Sequence, residues 1–160
     1  MNKKNSGFSL VELIVVIAIM AVLVGVLAPA YLKYVEKSRK SADIDALDEL
    51  VAAAEKVVVD EDYEDYATEG STFTITFGSH KATISAATHT EVTDLKSAWM
   101  ELANIKSDSV TLKSKAYKNE EGTITGTVKN SGGVSWVTSG LTKIVESDKT
   151  AKDFLAKLNS

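Results

Sequence analysis

The chain has 160 residues, the length of one globular unit with an appendage. Its formal net charge is −4, with 25% charged and 44% hydrophobic residues, which is ordinary for a folded protein and carries no basic stripe of the kind a nucleic-acid binder shows. It contains no cysteine, which excludes disulfides, Cys-based zinc sites and thiol catalysis.

Residues Met1–Gly7 form a short polar leader containing Lys3 and Lys4. From Phe8 to Leu32 the chain is almost wholly apolar, interrupted only by Glu12. Roughly 20 such residues at about 1.5 Å rise span about 30 Å, the thickness of a bilayer core. Positive charge ahead of the segment favours an N-terminus held in the cytoplasm and a remainder outside. Three readings compete for this segment. It fits a secretory signal cut at the small-x-small site Ala28-Pro29-Ala30, a plain membrane anchor, or a leader cut ahead of the apolar run.

The residues Gly7-Phe8-Ser9-Leu10-Val11-Glu12 decide among these. They closely resemble the class III signal of type IV pilins and pseudopilins: Gly, an aromatic, then Ser/Thr-Leu-x-Glu opening a hydrophobic helix. The resemblance covers about the first 60 residues. It implies cleavage between Gly7 and Phe8 by a membrane prepilin peptidase and methylation of the new Phe8 amine by the same peptidase/methyltransferase. It further implies lipid as the medium before assembly, and polymerisation of identical subunits by a cytoplasmic ATPase and a membrane platform protein.

Glu12 is the residue an ordinary anchor avoids, since a carboxylate in hydrocarbon costs about 2.5–3.5 kcal/mol even on lenient insertion scales. An amine freed at Phe8 is mostly cationic near neutrality, with an ordinary pKa of about 7.7–8, and stands at the positive end of the helix dipole. A salt bridge from Glu12 to the Phe8 amine of a neighbouring subunit is therefore expected, strengthened by the absence of screening water and able to fix axial register. Ala18, Ala21, Gly25 and Ala28 lie on one helical face, where small residues let helices approach closely in an apolar medium. Pro29, the single proline, cannot donate to the carbonyl of Gly25, itself a poor helix former. A kink or unwound stretch is expected from Gly25 to Pro29.

Beyond Pro29, Leu32, Val35, Ala42, Leu47, Leu50, Val51, Ala54 and Val58 recur at helical spacing, so residues 33–59 read as an amphipathic continuation of the helix. The Lys37–Lys40 cluster reads as a solvated face just outside a membrane. The acidic run Asp60–Asp65 ends the helix. It lacks the spacing and glycine of an EF-hand and is read as a solvated loop.

Residues 60–160 read as a globular head. Strands are expected at Phe73–Phe77, Ala82–Ala86, Ser109–Tyr117, Thr123–Lys129 and Val134–Thr138, joined as an antiparallel meander. Short helices are expected at Val92–Leu102 and Thr150–Leu158. The fold class is therefore α+β: a long N-terminal helix packed on a small antiparallel sheet, which is also the type IV pilin fold that the resemblance implies. Many Gram-negative pilins pin their C-terminal loop with a disulfide. A chain without cysteine departs from them and is compatible with a Gram-positive, clostridial-type pilin or a major pseudopilin.

His80 and His89 read as lone loop residues, and Trp99 and Trp136 as core. No metal constellation, cofactor motif, phosphate loop or catalytic triad is legible. The expected role is that of a non-enzymatic subunit of a type IV pilus. It would start as a single-pass precursor in the cytoplasmic membrane and end in a surface filament for adhesion, motility or biofilm formation. The alternatives are a minor pilin or pseudopilin of a secretion or DNA-uptake system, and a secreted binding module cut after Ala30.

Overall fold

The computed structural model describes residues 9–63, 65–88, 92–141, 144 and 149–159. By its contacts the chain divides into two units, Met1–Lys37 and Ser38–Ser160. Helix α1 (Leu10–Val59) contributes to both.

In the first unit α1 is apolar all round from Leu13 to Leu32, and none of its side chains is buried up to Tyr34. Helical assignment continues through Gly25 and Pro29.

In the second unit α1 becomes one-sided. Ile44, Leu47, Leu50, Val51, Ala54 and Val57 are buried, at spacings of three and four that make a helical stripe. The helix stops at Asp60, whose Oδ1 accepts the Asp62 amide at 3.1 Å. Asp competes for backbone donors in this way and favours helix ends over interiors.

That stripe shares one core with a five-stranded antiparallel sheet: β1 (Thr72–Gly78), β2 (Lys81–Ala87), β3 (Ser109–Thr111), β4 (Gly122–Val128) and β5 (Val134–Ser139). Alternation decides the faces. Phe73, Ile75 and Phe77 of β1, with Ala82, Ile84 and Ala86 of β2, point inward and are buried. The opposite face is mostly Thr and Ser. Gly126 faces Trp136 across β4 and β5, and a Cβ there would come within 2.6 Å of the indole and 2.5 Å of Val134. Only glycine leaves room for the ring to lie over the strand. The Trp136 Nε1–H donates to Glu55 Oε1 at 3.0 Å.

Helix α2 (Val92–Leu102) packs on β2, and α3 (Lys149–Leu158) lies against β5. Trp99 of α2 stacks edge-on against Phe73, with centroids 5.1 Å apart. Its Nε1–H donates to the Leu50 carbonyl at 2.8 Å, so both tryptophans are core residues with satisfied polar tips. Ala151, Phe154, Leu155 and Leu158 form the buried stripe of α3.

Two expectations need correction. The sheet order is β3-β2-β1-β4-β5, not a meander, because β4 pairs with β1 and not with β3. Strand β1, the most apolar, thereby becomes central and gains a neighbour on each side. The strand expected at Ser109–Tyr117 ends at Thr111. Beyond it the backbone is captured by a helix side chain. Asp43, only 2% exposed, accepts the Lys113 amide at 2.8 and 3.0 Å and the Ser114 amide at 2.7 Å. Amides that bond a carboxylate are not available to a ladder. A second buried acid, Glu120, is 1% exposed and accepts the Ile144 amide. The loop between β3 and β4 is thus tied at one end to α1 and at the other to the C-terminal segment, with no sulfur involved.

Candidate functional site

The candidate site is the start of α1 together with its unburied apolar length. Ser9 stands just before the helix, and its carbonyl accepts the first helical bond from Leu13 at 3.2 Å. Its Oγ accepts the Val11 amide at 3.3 Å, while Glu12 Oε2 accepts the Ser9 amide at 3.2 Å. This is a capping box: the Ser and the Glu three residues on satisfy donors that the first turn leaves without partners. Glu12 therefore has a partner within its own chain, and its charge lies at the positive end of the helix dipole. The Ser9-x-x-Glu12 spacing is itself the sequence signal for such a cap, a meaning additional to the processing and assembly roles expected of the motif.

Glu12 is exposed in the first turn, and Gly25 and Pro29 lie within α1. Gly7 and Phe8 lie outside the described residues, so their contact with Glu12 is not described.

From Leu10 to Leu32, fifteen Leu, Ile, Val and Met side chains are exposed, from 47% at Val16 to 74% at Leu10. Each would gain about 1 kcal/mol from losing its remaining water contact, on the order of 15 kcal/mol in all. Soluble monomers do not leave such a surface uncovered. The helix contains a window of mean hydropathy 3.1, none of it buried, long and apolar enough to cross a membrane. A Cβ at Gly25 would meet nothing within 4 Å, so the small face of Ala18, Ala21, Gly25 and Ala28 stands open.

Away from the helix, His80 is exposed in the turn between β1 and β2, and His89 lies outside the described residues. Among the described residues no three His, Cys, Asp or Glu side chains are grouped so as to hold a metal. Tyr63 is tied to α2. Desolvation, and then its hydrogen bond to Glu101, push its phenol above the ordinary value.

Residues 2–28 match the family described as the prokaryotic N-terminal methylation motif. Over 69 residues the chain is 33% identical to the type IV major pilin protein PilA of Myxococcus xanthus (strain DK1622), covering 42% of this chain and 31% of that protein. The chain thus matches about a third of the length of this curated relative. No solved structure matches it.

Proposed function

We infer that this chain, a type IV pilin-like precursor, is the structural subunit of a cell-surface filament, cut between Gly7 and Phe8 and assembled through the apolar part of α1. The observation that carries this reading is the unburied length of α1 with a single acid in its first turn. The family match and the similarity to a major pilin support it, as does the α+β arrangement of the second unit, which is consistent with the type IV pilin fold.

The mechanism follows from where the apolar surface can go. Before assembly, lipid covers it. In a filament, the same helices from neighbouring subunits cover it instead, and close packing over Ala18, Ala21, Gly25 and Ala28 supplies the contact that lipid cannot. Exchange of lipid for protein is nearly neutral in hydrophobic terms, so register must come from polar groups. Glu12 supplies one. A carboxylate has two oxygens and about four lone-pair sites. Capping the Ser9 amide therefore leaves room for the ammonium of a neighbouring Phe8. The cap also holds the carboxylate in a fixed place before that neighbour arrives. Pro29 removes one helical donor opposite Gly25, giving the packed helices a point at which to loosen under tension.

The test is mass spectrometry of the mature N-terminus combined with the yield of sheared filaments. A methylated Phe8 and abundant filaments are expected. An N-terminal Tyr31 would mark a secreted module, and scarcity in filaments would mark a minor pilin or pseudopilin.

A further inference from the structure

A cleft of about 780 Å³ opens at one end of the sheet, far in sequence from the assembly helix. One wall is the β1–β2 connection. Gly78 pairs with Lys81, so the loop is the two residues Ser79 and His80, with φ of 48° and 70°. Two-residue loops of this kind take left-handed backbone at both positions, which Asn and Gly adopt most readily. Here a serine and a histidine occupy them, and both residues line the cleft.

The strained turn is held in place. The His80 amide donates to the Lys118 carbonyl at 3.0 Å, and the His80 carbonyl accepts the Leu112 amide at 2.9 Å. The loop that holds it is in turn fixed by Asp43 through the Lys113 and Ser114 amides. At the far wall Gly140 approaches Gly122 so closely that a Cβ on Gly140 would lie 3.1 Å from the Gly122 Cα. Unfavourable backbone held rigid by its surroundings concentrates at functional sites, and here several such features border one cleft.

The lining gives the ligand class. Among the described residues Ser79, His80, Lys118, Asn119, Glu120 and Glu121 border it, with the His80 imidazole as the one ring and no aliphatic side chain. Apolar ligands therefore find polar groups over most of the lining. The second lining acid, Glu120, accepts the Ile144 amide and keeps its charge, so the described lining carries two carboxylates, which oppose an anion, and the Lys118 ammonium, which opposes a cation. Neither a strong anion nor a strong cation is favoured. Hydroxyl, imidazole, amide, ammonium and carboxylate together offer both donors and acceptors, which suits hydroxyls able to do both. The cleft volume lies within the usual range for small-ligand sites, about 300–1,000 Å³.

We propose that this cleft binds an uncharged hexose-type saccharide, one or two rings long, with His80 and Lys118 as direct contacts. The proposal is independent of the filament reading and stands or falls on binding alone. The full chain, kept in a non-glycosidic detergent, is titrated with glucose, galactose, mannose, N-acetylglucosamine and their β-linked disaccharides. Inorganic phosphate and acetate serve as anionic probes. Saturation-transfer NMR reports binding, and circular dichroism reports melting.

At least one saccharide is expected to bind saturably. His80→Gly removes the imidazole while relieving the left-handed backbone. It should melt no lower than the parent yet bind at least about tenfold more weakly. Lys118→Met should also bind about tenfold more weakly with unchanged melting. Binding of only the anions, binding of no saccharide, or parental affinity in both variants overturns the proposal.

Discussion

Replacing Asp43 tests whether a carboxylate does here what a covalent tie does elsewhere. In Asp43→Ala the Lys113 and Ser114 amides lose their acceptor. The Ser114 bond is buried and the Lys113 bond only partly so, so water can rescue the second more easily than the first. An unsatisfied buried donor costs about 1–3 kcal/mol. Two such donors, one of them partly rescued, sum to about 3–4 kcal/mol. Alanine is the better helix former by about 0.5 kcal/mol, which leaves a net loss of about 3 kcal/mol. For a unit of this size that lowers Tm by about 10 °C. Asp43→Asn keeps the shape and one acceptor oxygen but turns an NH₂ toward a donor, so about half the loss is expected. Thermal melts of the full chain in detergent, followed by circular dichroism, should rank parent above Asp43→Asn above Asp43→Ala. Hydrogen exchange at Lys113 and Ser114 should speed up in the same order. An Asp43→Ala melt within about 0.5 kcal/mol of the parent, with those amides still protected, would refute the reasoning.

Glu12→Val should still be cleaved at Phe8 but yield few or no sheared filaments, measured by immunoblot of the surface fraction; parental yield would remove Glu12 from assembly. Gly126→Val drives its side chain into Trp136 and Val134, within the 2.5–2.6 Å already reached by a Cβ. It should cost about 1–3 kcal/mol and shift the tryptophan emission. Pro29→Ala restores the helical donor to the Gly25 carbonyl, so filaments of that variant should extend less at a given force in single-fibre pulling. The hydrogen bond that Lys157 donates to Asp48 raises its pKa above the ordinary 10.5. Its stabilisation is thus complete below that value and lost as pH rises through the raised one. Lys157→Met should differ from the parent at neutral pH and converge with it only in strong alkali.

Much of this architecture is legible in the sequence because period alone determines it. Phe73 to Phe77 alternate strictly, and β1 extends one residue beyond that reading at each end. The stripe of α3 is equally plain, since Phe154, Leu155 and Leu158 can share a face only in a helix. What period does not encode is which strand lies beside which. The placement of β4 against β1 depends on the loop 112–121, and that loop is directed by Asp43, seventy residues away from the Lys113 amide it binds. A lone Asp among the many acids of α1 gives no local sign of such a contact. The motif at residues 7–12 had the opposite limitation. Its processing meaning is so specific that the capping geometry written in the same Ser9 and Glu12 is easily passed over. The two-residue spacing between Gly78 and Lys81 likewise implies left-handed backbone at Ser79 and His80, although no property of His80 itself marks it.

The acid-to-amide ties at Asp43 and Glu120 have a consequence for maturation. Each forms as soon as the chain folds and needs no oxidant, no isomerase and no particular redox poise. Thiol reductants should leave this head untouched at concentrations that unravel a cystine-bridged one. The same subunit can reach its working shape equally well in an anaerobic niche or an aerated one.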